Sequence, residues 1–157
     1  MNQAVTSTFD PQAFVDMQVS DANDTVLLPV PVGEYTAVAE KVDVAQWQSK
    51  DGSKAGVKLV IQWSIDDANV KTFMGRDTVL CRQDIMLDTT PQGSLDMGKG
   101  KNVGLGKLRA ALGKNTPGVA FSFSQIPGSV AKVKVDQRSD PQDAEKIYSE
   151  VKGVAAA

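Results

Sequence analysis

Between Val57 and Ile65, apolar side chains recur at every second position. Val57, Leu59, Ile61, Trp63 and Ile65 share one parity, and Lys58, Val60, Gln62 and Ser64 share the other. Successive side chains of a strand point to opposite faces, so this run predicts a strand with one face buried. Trp63, on the apolar parity, is expected in the core.

The flanking residues extend the pattern. A first strand is expected after Gly33, with Tyr35, Ala37 and Ala39 on one parity and Val42 and Val44 on the opposite one. A strand cannot change faces without an extra residue, so a bulge or bend is expected near Glu40–Lys41. Ser49-Lys50-Asp51-Gly52 reads as the hairpin turn into the second strand. Asp66-Asp67-Ala68-Asn69 ends that strand. A third strand is expected over about Arg76–Asp88, with Val79, Cys81, Ile85 and Leu87 on one parity and Gln83 as the polar exception.

A polar loop, Thr89–Gly100, then leads into a helix. Asn102 is the expected N-cap, Leu105, Leu108 and Leu112 form the apolar face, and Gly113 is the left-handed stop. Gly104 and Gly106 each cost about 1 kcal/mol relative to alanine within a helix. They imply a close approach to another backbone or a later start. Thr116–Gly128 connects to a fourth strand at Val130–Val135. A turn at Ser139–Asp143 precedes a fifth at Lys146–Val154, with Ile147 and Val151 on one face. The order of three strands, one helix and two strands predicts a mainly β fold: a five-stranded OB-like barrel with the helix between strands three and four.

Residues 1–32 read as an extended N-terminal leader and 33–157 as the barrel domain. In the leader, Asp10-Pro11 predicts a capped helical turn with Phe14 and Val15 packing. The chain's 157 residues suffice for one core, and its net charge is -2. The charge is unevenly spread. Residues 1–30 carry Asp10, Asp16, Asp21 and Asp24 and no base, whereas residues 97–114 carry five bases and no acid. Such a distribution lets a near-neutral protein present a positive face; the plain alternative is a solvated lysine surface. The N-terminus lacks a basic, apolar signal pattern, and no apolar run approaches the ~20 residues of a membrane helix. A soluble, intracellular protein is expected.

There is no histidine and a single cysteine, Cys81. The commonest general base is therefore absent, and a zinc site or an intrachain disulfide is not expected. Cys81 reads as a small buried hydrophobe. The glycine-rich stretch around Gly98–Gly106 fits neither a phosphate-binding loop nor a dinucleotide fingerprint. Asp66-Asp67 reads as a solvated turn. No enzymatic activity, metal or cofactor is expected.

An OB barrel often holds single-stranded nucleic acid along one face and in its loops, and such binding requires cations along the phosphates and flat side chains for the bases. The cations expected to serve are Lys50 and Lys54 in the first hairpin, Lys58 on the second strand, Arg76 and Arg82 on the third, and Lys132 and Lys134 on the fourth. Lys99 and Lys101, before the helix, are lesser candidates, because the helix of such a barrel usually closes the end away from the ligand. Trp47 at the hairpin mouth is the first stacking candidate, its alternative role being a cap over the barrel end. Phe73 and Tyr148 are further candidates; Tyr35, Phe121 and Phe123 are expected to pack.

The runs LPVPVGEYTAVAEKV, VIQWSIDD, QDIMLDTTPQGSLDMGKGKNVGLGKLRAALG, AKVKVDQRSD and EKIYSEVKGV resemble a group of small proteins of tailed bacteriophages. These are the single-stranded-DNA-binding or recombination-associated proteins found among replication genes. The resemblance spans about residues 28–154. It implies an OB-like barrel, binding to single-stranded DNA and a place in the host bacterial cytoplasm, but assigns no individual contact residues. Further partners to consider are a second copy of the chain and phage replication or recombination proteins; no membrane is expected. Residues Val154 to Ala157 are not acidic, so the acidic partner-recruiting tail of bacterial single-strand binders is not expected here. The competing readings are a head-decoration or stabilising protein of the virion, with residues 1–32 as its arm, and an inhibitor of a host enzyme.

Overall fold

The computed structural model describes residues 9–157; the first eight residues of the leader lie outside the described residues. The protein is mainly β. Strands β1 (Gly33–Gln48), β2 (Ala55–Ile65), β3 (Leu80–Leu87), β4 (Val130–Ser139) and β5 (Ile147–Ala155) close in a ring in the order β1-β2-β3-β5-β4. Neighbours are antiparallel except β3 and β5, which meet in parallel at Arg82 and Glu150. Helix α1 (Pro11–Val15) lies in the leader, α2 (Ala68–Met74) between β2 and β3, and α3 (Val103–Ala111) between β3 and β4.

The parity change in the first strand is a bulge. Register against β2 shifts between Ala39 and Lys41, so Ala39 and Val42 face the same interior on either side of it. One long strand thereby serves two neighbours: its first half pairs with β4 and its second half with β2. Leu59, Ile61, Trp63 and Ile65 fill the ring together with Ala37, Val133 and Val135, all fully buried. The polar exception, Gln83, is buried because its Oε1 accepts the Trp63 indole N–H at 2.9 Å. Cys81 is buried in the same layer, and burial pushes its thiol up to about 11.

The structure corrects four expectations. Residues 68–74 are helical: Asp67 accepts the Val70 N–H as N-cap and Gly75 closes the helix at φ 67°. β3 consequently starts at Leu80, and Arg76 belongs to the loop before it. Asn102 occupies the N-cap position of α3, but its side chain makes no cap. It accepts the Asp88 N–H and donates to the Asp88 and Asp96 carbonyls, pinning the loop instead. Phe14 and Val15 follow the expected Asp10 cap but do not pack; both are exposed.

Of the two helical glycines, only Gly104 is close to anything: a Cβ there would lie 3.3 Å from Ile85 Cγ2, whereas Gly106 faces open space. Helix α3 therefore starts at Val103 and approaches the β3 side chains, not another backbone. Leu105 and Leu108 seal it onto the ring. Val30 is also buried, held between Ser149 and Gln137. Among the described residues no helix is long and apolar enough to cross a membrane.

Candidate nucleic-acid interface

Alternation places Lys58 and Val60 of β2 outward, opposite Met86 and Asp84 of β3. The Lys58 ammonium reaches Asp84 Oδ2 at 2.9 Å, and the Arg82 guanidinium grips the same carboxylate, Nε to Oδ1 at 2.6 Å. Burial alone would raise the Asp84 carboxyl, but hydrogen bonds from Arg82 and Lys58 outweigh it and hold the group below the ordinary carboxylate range. One strand further on, Glu150 lies between Lys152 at 3.1 Å and Arg138 at 3.5 Å. Its Oε1 is shielded from water and has these cations beside it without a well-formed hydrogen bond.

Lys58, Arg82, Asp84, Arg138, Tyr148 and Glu150 line a shallow groove of about 330 Å³. Three cations against two carboxylates give this lining a small positive excess. Tyr148 adds a ring, 37% exposed, with the Arg138 and Lys146 charges each 5.6 Å from its centre. Its hydroxyl donates to Asp140 in the turn between β4 and β5.

Trp47 lies at the far end of the β1–β2 ribbon, in register with Gly56. Its indole covers that glycine so closely that a Cβ at residue 56 would lie 2.8 Å from Nε1. The missing side chain leaves room for the indole to lie against Gly56 beside the hairpin. Lys50 and Lys54 are exposed in the loop that follows. Asp51 orders this loop: Ser53 and Ser49 donate to its carboxylate and hold it down at about 2.

The remaining sequence candidates lie elsewhere. Phe73, on α2 and 57% exposed, and Arg76, in the loop after α2, stand at the other end of β2 from Trp47. Lys132 and Lys134 point outward from β4, but their neighbours are Thr36 and Glu34 of β1 and Ala155 and Gly153 of β5. Lys99 and Lys101 are exposed in the loop before α3. The structure thus joins Lys58 and Arg82, sets Trp47, Lys50 and Lys54 on one ribbon, and leaves the other predicted cations outside the groove lining. Sequence reasoning missed Arg138 and Lys152 as site residues. Continued alternation from Val135 to Ser139 would have signalled Arg138, because β4 runs four residues beyond its expected end.

Among the described residues, no three His, Cys, Asp or Glu side chains gather in a metal-holding group. The chain matches no protein-family model and no curated protein sequence.

Proposed function

We propose that the chain is a non-enzymatic single-stranded-DNA-binding protein on an OB-like barrel, acting in phage DNA replication or recombination in the host cytoplasm. The ring order, the parallel meeting of β3 and β5, and the helix between β3 and β4 support the OB-like reading. In that fold the second and third strands, with the first and last hairpin loops, form the ligand surface. The observation that carries the proposal is the groove on that surface. Lys58, Arg82 and Arg138 line it with two carboxylates and Tyr148, Lys152 pairs with Glu150 beside it, and the Trp47 indole lies on the adjoining ribbon. Phosphates exchange with the carboxylates for these cations, while the flat rings stack bases at about 1–3 kcal/mol each. The phage setting rests on the resemblance of the sequence runs.

The test is a titration with oligothymidine at low salt, followed by tryptophan fluorescence. Trp63 is fully buried and Trp47 is not, so binding quenches Trp47 alone and Trp47→Phe abolishes the signal. Absence of both quenching and gel retardation refutes the proposal. The exposed apolar side chains of the leader favour a second reading, a stabilising protein of the virion, because they suit an arm laid on a neighbouring subunit. Stoichiometric presence in purified particles, measured by mass spectrometry, would select it.

A further inference from the structure

A second, larger concavity lies away from this face. The loop before α3, α3 itself and the connector towards β4 enclose a cleft of about 830 Å³, within the range of ligand-sized pockets. Its apolar lining includes Leu95, Met97, Val103, Leu105, Phe121 and Phe123. Lys101, Lys107 and Arg109 also line it, and no carboxylate does. Arg109 is fixed there: its guanidinium lies 4.6 Å from the Phe121 ring centre, and its Nε donates to the Lys114 carbonyl at 3.0 Å.

The leader has the complementary character. Residues 9–21 read FDPQAFVDMQVSD, with three aspartates and no base. Phe9, Phe14, Val15, Met17 and Val19 are each between 54% and 76% exposed. α1 is formed and capped, yet buries none of its residues. An ordered turn with its apolar side chains in water is an unpartnered surface, and its charge is opposite to that of the cleft.

The leader enters the ring at Val30, which is held by Gln137 near the end of β4, whereas the cleft borders the connector leading to Val130 at the start of β4. Those points are seven steps apart along the strand, roughly 23 Å at 3.3 Å per residue. Within one molecule the segment runs exposed, clear of its own cleft.

We propose that residues 9–21 of one molecule dock in the α3 cleft of a second copy, Phe14 and its apolar neighbours on the floor and the aspartates against Lys101 and Lys107. Each molecule carries one arm and one cleft, so reciprocal exchange closes a dimer without leaving a free site. The proposal uses none of the groove cations and does not depend on DNA binding.

Sedimentation velocity of the full chain over a range of concentrations tests it. The expected result is a monomer–dimer equilibrium in which Phe14→Ser weakens the dimer at least tenfold. Lys101→Glu/Lys107→Glu and Asp16→Lys/Asp21→Lys each do the same, and combining the two charge reversals restores pairing. These side chains are exposed, so circular dichroism of every variant should match the parent. A synthetic peptide of residues 9–21 should dissociate the dimer. A chain that stays monomeric throughout, including one whose leader folds into its own cleft, overturns the proposal. So does a dimer insensitive to these substitutions, or a charge swap that fails to restore it.

Discussion

If the groove takes single-stranded DNA as proposed, Asp84→Asn should tighten that binding, although it removes two ion pairs. In the parent protein the Asp84 carboxylate occupies Lys58 at 2.9 Å and Arg82 at 2.6 Å, so an incoming phosphate competes with it for both. The pairs are partly exposed, with side-chain accessibilities of 18% and 53% for the two cations and 31% for the acid. Each is therefore worth about 0.2–1 kcal/mol. Releasing both removes about 1 kcal/mol of competition, roughly a fivefold gain in affinity at 1.4 kcal/mol per tenfold. The same cations meet the phosphates in both proteins, so the slope of log affinity against log salt should stay near the parent's while affinity rises at every salt. Fluorescence anisotropy of a labelled oligothymidine across a potassium chloride series measures both, with urea unfolding verifying the fold. An intact Asp84→Asn protein with unchanged or weaker affinity refutes the competition between Asp84 and phosphate.

Three further outcomes follow from the core and loops. Gln83→Leu strands the buried Trp63 N–H and should cost about 1–3 kcal/mol; adding Trp63→Phe should cost less than the sum, and strict additivity in urea melts would refute the pairing. Gly106→Ala fills open space on α3 and should stabilise by about 0.5–1 kcal/mol, whereas Gly104→Ala, crowding Ile85, should gain less; equal shifts in thermal melts would contradict this. The Asp51 carboxyl, held at about 2 by Ser53 and Ser49, lies below its unfolded value of about 4. Its contribution to loop order is therefore complete above about pH 4 and lost as pH falls towards 2. A carbon-detected NMR titration with a midpoint near 4 would disprove it.

Local pattern made the ring's strands legible. The period-two run placed Trp63 inward, and the change from Ala39 to Val42 parity located the bulge before any partner strand was known. Helix α2 escaped because it is short and buries only Val70, so its Asp67 and Gly75 signals passed for loop residues. Asn102 has the right chemistry for a cap, yet its side chain is used by Asp88 and Asp96, a choice made by tertiary contacts. The groove was legible residue by residue but not as a cluster. Lys58 and Asp84 are 26 positions apart, and Arg82 meets Glu150 only through the parallel closure of the ring. Register between distant strands decides which cations share a face, and alternation within one strand carries no information about it.

Salt dependence of oligothymidine affinity is the most direct test of the claim that one face binds the strand. The variants Arg82→Ala/Arg138→Ala and Lys132→Ala/Lys134→Ala remove equal charge, the first from the groove lining and the second from outside it. The account predicts that the first pair flattens the slope by about 1.4, at 0.7 per lost phosphate contact, while the second leaves it unchanged. Equal losses from both pairs, or a loss only from the β4 lysines, would contradict it.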